Sequence, residues 1–163
     1  MIQKVSKATD IQTIEKLAYK IWNAHYVPII GQNQVDYMLH KFQNFNAISS
    51  QIKNGYEYFL ISNNKKAVGY LCLITNTSKK KLMISKIYID QNEKGHGFGT
   101  QLINFTKKLA KEKGMKTVWL TVNKNNSATI KWYKKLGFEI TDEIKMDIGN
   151  DFIMDDFVME LQL

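Results

Sequence analysis

The sequence predicts a single α/β domain spanning residues 1–163, with helices on both faces of a central mixed, mostly antiparallel sheet of about seven strands. Three observations lead there. Seven short runs are rich in β-branched and aromatic residues, and most are bounded by polar or glycine-containing turns. Between them lie stretches whose apolar residues recur at helical spacing. Finally, a strand–helix–strand unit in the middle of the chain needs a crossover connection, which pairs its two strands in parallel within one sheet.

The elements follow in order. Ile2 to Ser6 reads as a short strand. Asp10 is placed to cap a helix carrying Ile11, Ile14, Leu17, Ala18, Ile21 and Trp22 at helical spacing. A second helix begins at Gln34, with Val35, Met38, Leu39 and Phe42 on one face, and a short third covers Ala47 to Lys53 before Gly55. Tyr56–Ser62 and Ala67–Thr75 form a hairpin about Asn63-Asn64-Lys65-Lys66, and Leu82–Ile89 is the next strand. From Phe98 the period changes: Phe98, Leu102, Phe105, Leu109 and Ala110 make one helical stripe that Gly114 ends. Thr117–Val122 is a strand, Asn126 opens a helix that closes at Gly137, and Phe138–Met146 and Phe152–Leu161 are the last strands.

Composition narrows the class. Eight Phe, eight Tyr and three Trp supply core material, and no apolar run approaches the ~20 residues of a membrane span. A single cysteine, Cys72, excludes an internal disulfide and a multi-cysteine metal site, and the expectation is a cytoplasmic protein without a metal. The net charge of +8 suggests nucleic acid, but all 23 basic residues are Lys and they are dispersed. Base-reading proteins rely on the planar fork of Arg, so no nucleic-acid partner and no membrane are expected. The acids are clustered instead: eight of fifteen lie within the last 25 residues.

The stretch Ile87-Tyr88-Ile89-Asp90-Gln91-Asn92-Glu93-Lys94-Gly95-His96-Gly97-Phe98-Gly99-Thr100 carries the chemistry. A strand ends, a glycine-rich loop follows, and a helix starts at once. Glycines admit a bulky anion close to the backbone, and the helix N-terminus offers unpaired N–H groups. A dinucleotide fingerprint would need glycine where Thr100 stands, and a P-loop would need a lysine after Gly99. The alternative is a tight turn that binds nothing.

Lys94-Gly95-His96-Gly97-Phe98-Gly99 resembles the acetyl-CoA pyrophosphate loop of GNAT acetyltransferases. A second block resembles that family too: Val122, Asn126, Thr129-Ile130, Tyr133 and Leu136-Gly137-Phe138. Lys94 stands where the family has Gln or Arg, and Thr129 where it has Ala. Together the blocks make residues 56–146 similar to the family, and the N-terminal third loosely so.

The resemblance implies acetyl-CoA as co-substrate and a small-molecule amine as acceptor, joined by direct attack in a ternary complex. It implies that the 82–89 and 117–122 strands splay around acetyl-pantetheine. The backbone near Ile87, Tyr88 and Ile89 would polarise the thioester carbonyl, and Lys94 to Thr100 would hold the pyrophosphate. Asn126 would bind the pantetheine arm, and Tyr133 would protonate the departing thiolate. Many relatives carry a Glu on the strand before the loop; Met83 and Ser85 leave this chain without it. Glu57 and His25 are candidates for the base, and Tyr26 and Tyr56 for the acceptor pocket. Asp147 and Asp151, in the acidic C-terminal segment, are placed to attract a polycation, a layout loosely similar to bacterial spermidine/spermine-type acetyltransferases. Acetylation of a peptide amine, use of a longer acyl-CoA, an inactive CoA-binding domain and a homodimer all stay open.

Overall fold

A computed structural model describes residues 1–163. The chain resolves into two compact units, Met1–Ile74 with Ser85–Thr106, and Thr75–Ile84 with Lys107–Leu163. The first unit opens with β1 (Ile2–Lys4), α1 (Ala8–His25), α2 (Val27–Ile30), α3 (Gln32–Phe42) and α4 (Phe45–Lys53). β2 (Glu57–Asn63) and β3 (Lys66–Asn76) follow. β4 (Lys81–Ile89) crosses from the second unit into the first, and α5 (Phe98–Glu112) crosses back. The second unit is completed by β5 (Thr117–Asn123), α6 (Ser127–Lys135), β6 (Glu139–Gly149) and β7 (Phe152–Gln162). The strands form a seven-stranded mixed sheet in the order β1-β2-β3-β4-β5-β7-β6. β4 and β5 run parallel, as the crossover through α5 requires.

Local chemistry explains most boundaries, including those that differ from the sequence reading. Asp10 caps α1 from its first turn rather than from the N-cap position, which Lys7 holds: its Oδ2 reaches back to accept the N–H groups of Ser6 and Lys7, each at 3.2 Å. α2 is a second difference. A single turn forms around Pro28, which is tolerated because a first-turn N–H has no helical partner to lose. α4 starts two residues earlier than its apolar pattern, because Asn44 accepts the Ala47 N–H at 2.8 Å and Glu15 accepts that of Phe45 at 2.5 Å. The β2–β3 turn needs two residues of positive φ, and Asn64 (47°) and Lys65 (66°) supply them.

In the first unit Ile14, Ala18 and Ile21 of α1, Val35 of α3, Ile48 of α4 and Val68 to Leu73 of β3 form the core. Phe59 packs edge-on against Phe105, ring centroids 4.9 Å apart. In the second unit Val118, Leu120 and Val122 of β5 join Ile130, Phe138 and Met159. No helix is long and apolar enough to cross a membrane.

The tightest backbone approach lies at Gly69 on β3. A Cβ there would stand 2.5 Å from the Tyr88 carbonyl oxygen and 2.5 Å from Ile89 Cδ1, both at the end of β4. One of those atoms is backbone, so relief requires the end of β4 to move. Gly69→Ala should therefore cost about 1–3 kcal/mol, as overpacking of a well-filled site does. Urea denaturation of the variant against the parent chain checks this.

Candidate functional site

The glycine loop is anchored from behind. At the end of β4 the Asp90 N–H donates to Val68 O at 2.8 Å, and its Oδ1 accepts the Asn92 N–H at 3.1 Å, starting the short 3₁₀ turn Gln91–Glu93. Lys20 of α1 reaches Asp90 Oδ2 at 2.5 Å. Burial alone would push the Asp90 carboxyl up, but the bonds from Lys20 and the Asn92 N–H outweigh it and hold the group below its usual range. The loop so launched has positive φ at Gly95 (85°) and Gly97 (80°), and no heavy atom lies within 4 Å of where either Cβ would be. Those two facts leave an open backbone concavity ahead of α5. The first intrahelical bond of α5 runs from Gln101 N–H to Gly97 O at 3.0 Å, so the N–H groups of Phe98, Gly99 and Thr100 precede the helical ladder. His96 is exposed, 3.6 Å from Glu93, and Lys94 is exposed beside it. Positive dipole end, open space and unspent donors suit a pyrophosphate.

β4 itself supplies the next feature. The backbone groups of alternate strand residues point to opposite edges. Asp90 N–H points to β3, and so does the Tyr88 carbonyl, since it nearly fills the Cβ position of Gly69. Ile87 and Ile89 therefore direct their backbone groups to the other edge. The ladder on that edge spans only Lys81↔Thr117 to Met83↔Trp119, ending four residues before Ile87. The Ile87 N–H thus lies on the edge of β4 that faces away from β3, beyond the last pair with β5.

The Tyr88 ring gathers the C-terminal end of α1: Trp22 at 5.5 Å, Tyr26 at 6.1 Å, and Tyr70 of β3 at 5.3 Å, with His25 edge-on to Tyr26 at 4.7 Å. His25 and Tyr26 thus belong to one aromatic group beside the loop's origin. Glu57 and Tyr56 lie elsewhere. Glu57 pairs with Leu73 in the sheet, three to four residues along β3 from the Gly69–Tyr70 position that Tyr88 abuts, or roughly 10–13 Å. Its carboxylate is bonded to Lys4 at 2.9 Å.

In the second unit, Asn126 is buried at the N-cap of α6 yet makes no side-chain capping bond, so its amide is not spent on the helix. Tyr133 is buried one face of α6 along, its ring 5.0 Å from Trp132 and 5.5 Å from Phe138. Asp147 and Asp151 sit at the β6–β7 hairpin. Asp147 accepts the Gly149 N–H at 2.8 Å, and Asp151 follows Asn150 through a turn of positive φ. Lys124 holds Glu143 at 2.9 Å and Asp155 at 3.0 Å, and Lys81 holds Glu160 at 2.6 Å. No cluster of three or more His, Cys, Asp or Glu side chains is arranged as a metal site.

Two buried ionisable groups escape the sequence reading. Asp156 on β7 is one, 2% exposed. Lys86 on β4 is the other; the only signal for it was a lysine in register with Leu82 and Ile84 on the buried stripe. Its ammonium donates to Phe42 O at 2.9 Å, Gln51 Oε1 at 2.8 Å and the Tyr58 hydroxyl, and Tyr58 in turn donates to Gln51 Oε1 at 2.6 Å. Burial pushes Lys86 down to about 8, and it pushes the neighbouring Cys72 thiol up to about 11. The unfolded chain binds the Lys86 proton more tightly than the folded one, at the ordinary lysine value of 10.5. Stability contributed at this site should therefore be lowest below pH 8 and rise as pH climbs towards 10.5. Urea unfolding of the parent chain and of Lys86→Met across pH 7–10 tests this: the parent should gain stability relative to the variant as pH rises.

The family model described as the acetyltransferase (GNAT) family matches residues 16–138. An uncharacterized N-acetyltransferase of Methanocaldococcus jannaschii is 36% identical over 93 residues, covering 54% of this chain and 41% of that protein. The chain thus spans less than half the length of this curated relative. The PaiA N-acetyltransferase of Thermoplasma acidophilum, solved with coenzyme A, superposes with a TM-score of 0.84 at 21% identity, covering 100% of this chain and 98% of that one. A Bacillus anthracis structure with acetyl-CoA, described as a putative streptothricin acetyltransferase, gives a TM-score of 0.59 at 25% identity, covering 66% of this chain and 62% of that one.

Proposed function

Because the chain belongs to the GNAT acetyltransferase family, we propose that it transfers the acetyl group of acetyl-CoA to a primary amine by direct attack in a ternary complex. The single observation that carries this reading is the loop Lys94–Thr100, with its two positive-φ glycines, open space and uncommitted helix N-terminus. These donors hold the pyrophosphate, and Lys94 adds a point charge without the fork an Arg would bring. The Ile87 N–H binds the carbonyl oxygen of the thioester as negative charge develops on it. Asn126, whose amide is not spent as a helix cap, bonds the pantetheine arm. Tyr133 donates its phenolic proton to the leaving sulfur.

The acceptor in this reading is a small polycationic amine. Support comes from the hairpin carrying Asp147 and Asp151, where carboxylates cluster on a chain of otherwise dispersed lysines. Such a patch raises the local concentration of a polyamine and holds its distal ammonium. His25 and Tyr26, grouped around Tyr88, are the better placed of the acceptor-pocket candidates for a wall beside the reacting end.

Kinetics with two variants test the machinery. Gly97→Val places a β-branched side chain at a φ of 80° and fills the space the phosphates need, so acetyl-CoA affinity should fall at least tenfold in a folded protein. Tyr133→Phe should lower kcat by ~10²–10⁴-fold with little change in KM for acetyl-CoA. Normal turnover by Tyr133→Phe would make it a packing residue.

An acceptor panel tests the substrate. Spermidine should be acetylated faster than alaninamide, with a KM that rises with salt and with Asp147→Asn or Asp151→Asn. Equal rates on both amines, indifferent to those changes, would leave the hairpin as solvated surface. Tight acetyl-CoA binding without turnover on any amine would mark a CoA-binding domain.

A further inference from the structure

We propose that Lys86 is a positioning residue for the acetyl transfer: its clamped side chain fixes the peptide unit that presents the Ile87 N–H to the thioester carbonyl. This rests on the acetyltransferase reading above, which gives that N–H its role. The need arises from the strand itself. Beyond Met83, β4 has no register partner on β5, so the ladder on that edge does not hold the Ile87 N–H in line. Lys86 and Ile87 share one planar peptide unit, and the N–H turns with it. Lys86 is also the last buried side chain of β4; Ile87, Tyr88 and Ile89 are all partly exposed.

The clamp ties β4 to three other elements. Reaching across β3, the Lys86 ammonium donates to Phe42 O at the end of α3 (2.9 Å), to Gln51 Oε1 of α4 (2.8 Å) and to the Tyr58 hydroxyl of β2. Its nitrogen also lies 5.0 Å from the centre of the Tyr58 ring. An ammonium has three N–H donors, and here three acceptors meet them. That match fixes the direction of the terminal bond and removes the rotamer freedom of a long side chain. Lys86, Phe42, Gln51 and Tyr58 all belong to the first unit, as do Ile87 and the glycine loop.

Stability does not account for the lysine. Its residue is 7% exposed and its partners are all neutral, so the charge is held at a cost in hydration. The lowering of its proton affinity by burial reports the same cost. Nor do the partners need it. Tyr58 donates to Gln51 Oε1 at 2.6 Å, and Gln51 Nε2 donates to Phe42 O at 3.3 Å. A methionine would fill a similar volume, spare the desolvation and leave each of those groups with a bond. It could not tie β4 to α3 and α4 by directed bonds. An oxyanion donor works only when its geometry is set before charge builds on the carbonyl oxygen. A misplacement of about 1 Å can cost ~10²-fold in rate.

The test uses the full chain with acetyl-CoA and either spermidine or alaninamide, whichever turns over faster. Lys86→Met should lower kcat by ~10–10²-fold. Affinity and KM for acetyl-CoA should stay at the parent's values, because the glycine loop is untouched and the Ile87 bond strengthens only in the transition state. Tyr58→Phe removes one of the three acceptors and should lower kcat by less. Ile48→Val, which loosens the core under α4 without touching the clamp, should leave kcat unchanged. A folded Lys86→Met enzyme with the parent's kcat overturns this proposal and leaves acetyl transfer standing. So does one whose kcat falls only together with its affinity for acetyl-CoA, since that marks a residue of the general fold. A parent chain that acetylates neither amine nor any other primary amine overturns the functional reading, and this one with it. Should Lys86→Met fail to fold, Tyr58→Phe decides: a lower kcat at unchanged acetyl-CoA affinity supports the clamp, and the parent's kcat overturns it.

Discussion

The short ladder between β4 and β5 is the constraint on which the rest depends. Parallel pairing covers three residue pairs, and β4 then continues for six more residues without it. A strand that keeps its β3 partner but not its β5 partner has one edge of backbone groups committed and one edge available. Gly69 sharpens this by letting β3 and the end of β4 approach so closely that no Cβ fits. The end of β4 is thereby held in place, and so is what leaves it: Asp90, its bonds to Lys20 and Asn92, and the glycine loop aimed at the start of α5. A loop launched from a loosely held strand could not keep a set of N–H groups in one geometry.

Three buried acid or lysine side chains, Asp90, Lys86 and Asp156, are each satisfied differently. Asp90 has a full ammonium partner and a backbone donor, and the attraction outweighs its loss of hydration. Lys86 has three neutral acceptors and no carboxylate, so hydrogen bonding keeps the ammonium in place while burial still lowers its proton affinity. Asp156 has one hydroxyl and an oxygen left over, and there burial wins. The order follows from electrostatics: a charge partner offsets desolvation best, neutral dipoles less, and a single hydroxyl least.

Much of the architecture was legible without coordinates. Strands and helices announce themselves by the period of their apolar residues, a local property, so all seven strands and the long helices α1, α3 and α5 lie within a few residues of their expected positions. The glycine loop was legible for a similar reason. Positive φ at Gly95 and Gly97 and the start of α5 depend on adjacent residues. Terminal details were less so: Asp10 caps α1 from its first turn while Lys7 holds the N-cap position, and α2 is too short for a periodic signal.

What only the tertiary structure decided concerns which polar groups are buried and what meets them. Lys86 is bonded to Phe42 and Gln51, 44 and 35 residues away, and Lys20 to Asp90, 70 away; no window of sequence contains such pairs. Glu57 and His25 looked equivalent as acids and bases on paper, yet one is bonded to Lys4 while the other joins the aromatic group at Tyr88. Asp156 was one acid among eight in the C-terminal segment. Its burial follows from strand register, which turns Asp155 and Asp156 to opposite faces of one sheet. The sequence by itself determined the elements and the anion loop because both are encoded by near neighbours. The state of each charge was decided by the fold, because hydration is lost only when distant segments close around a group.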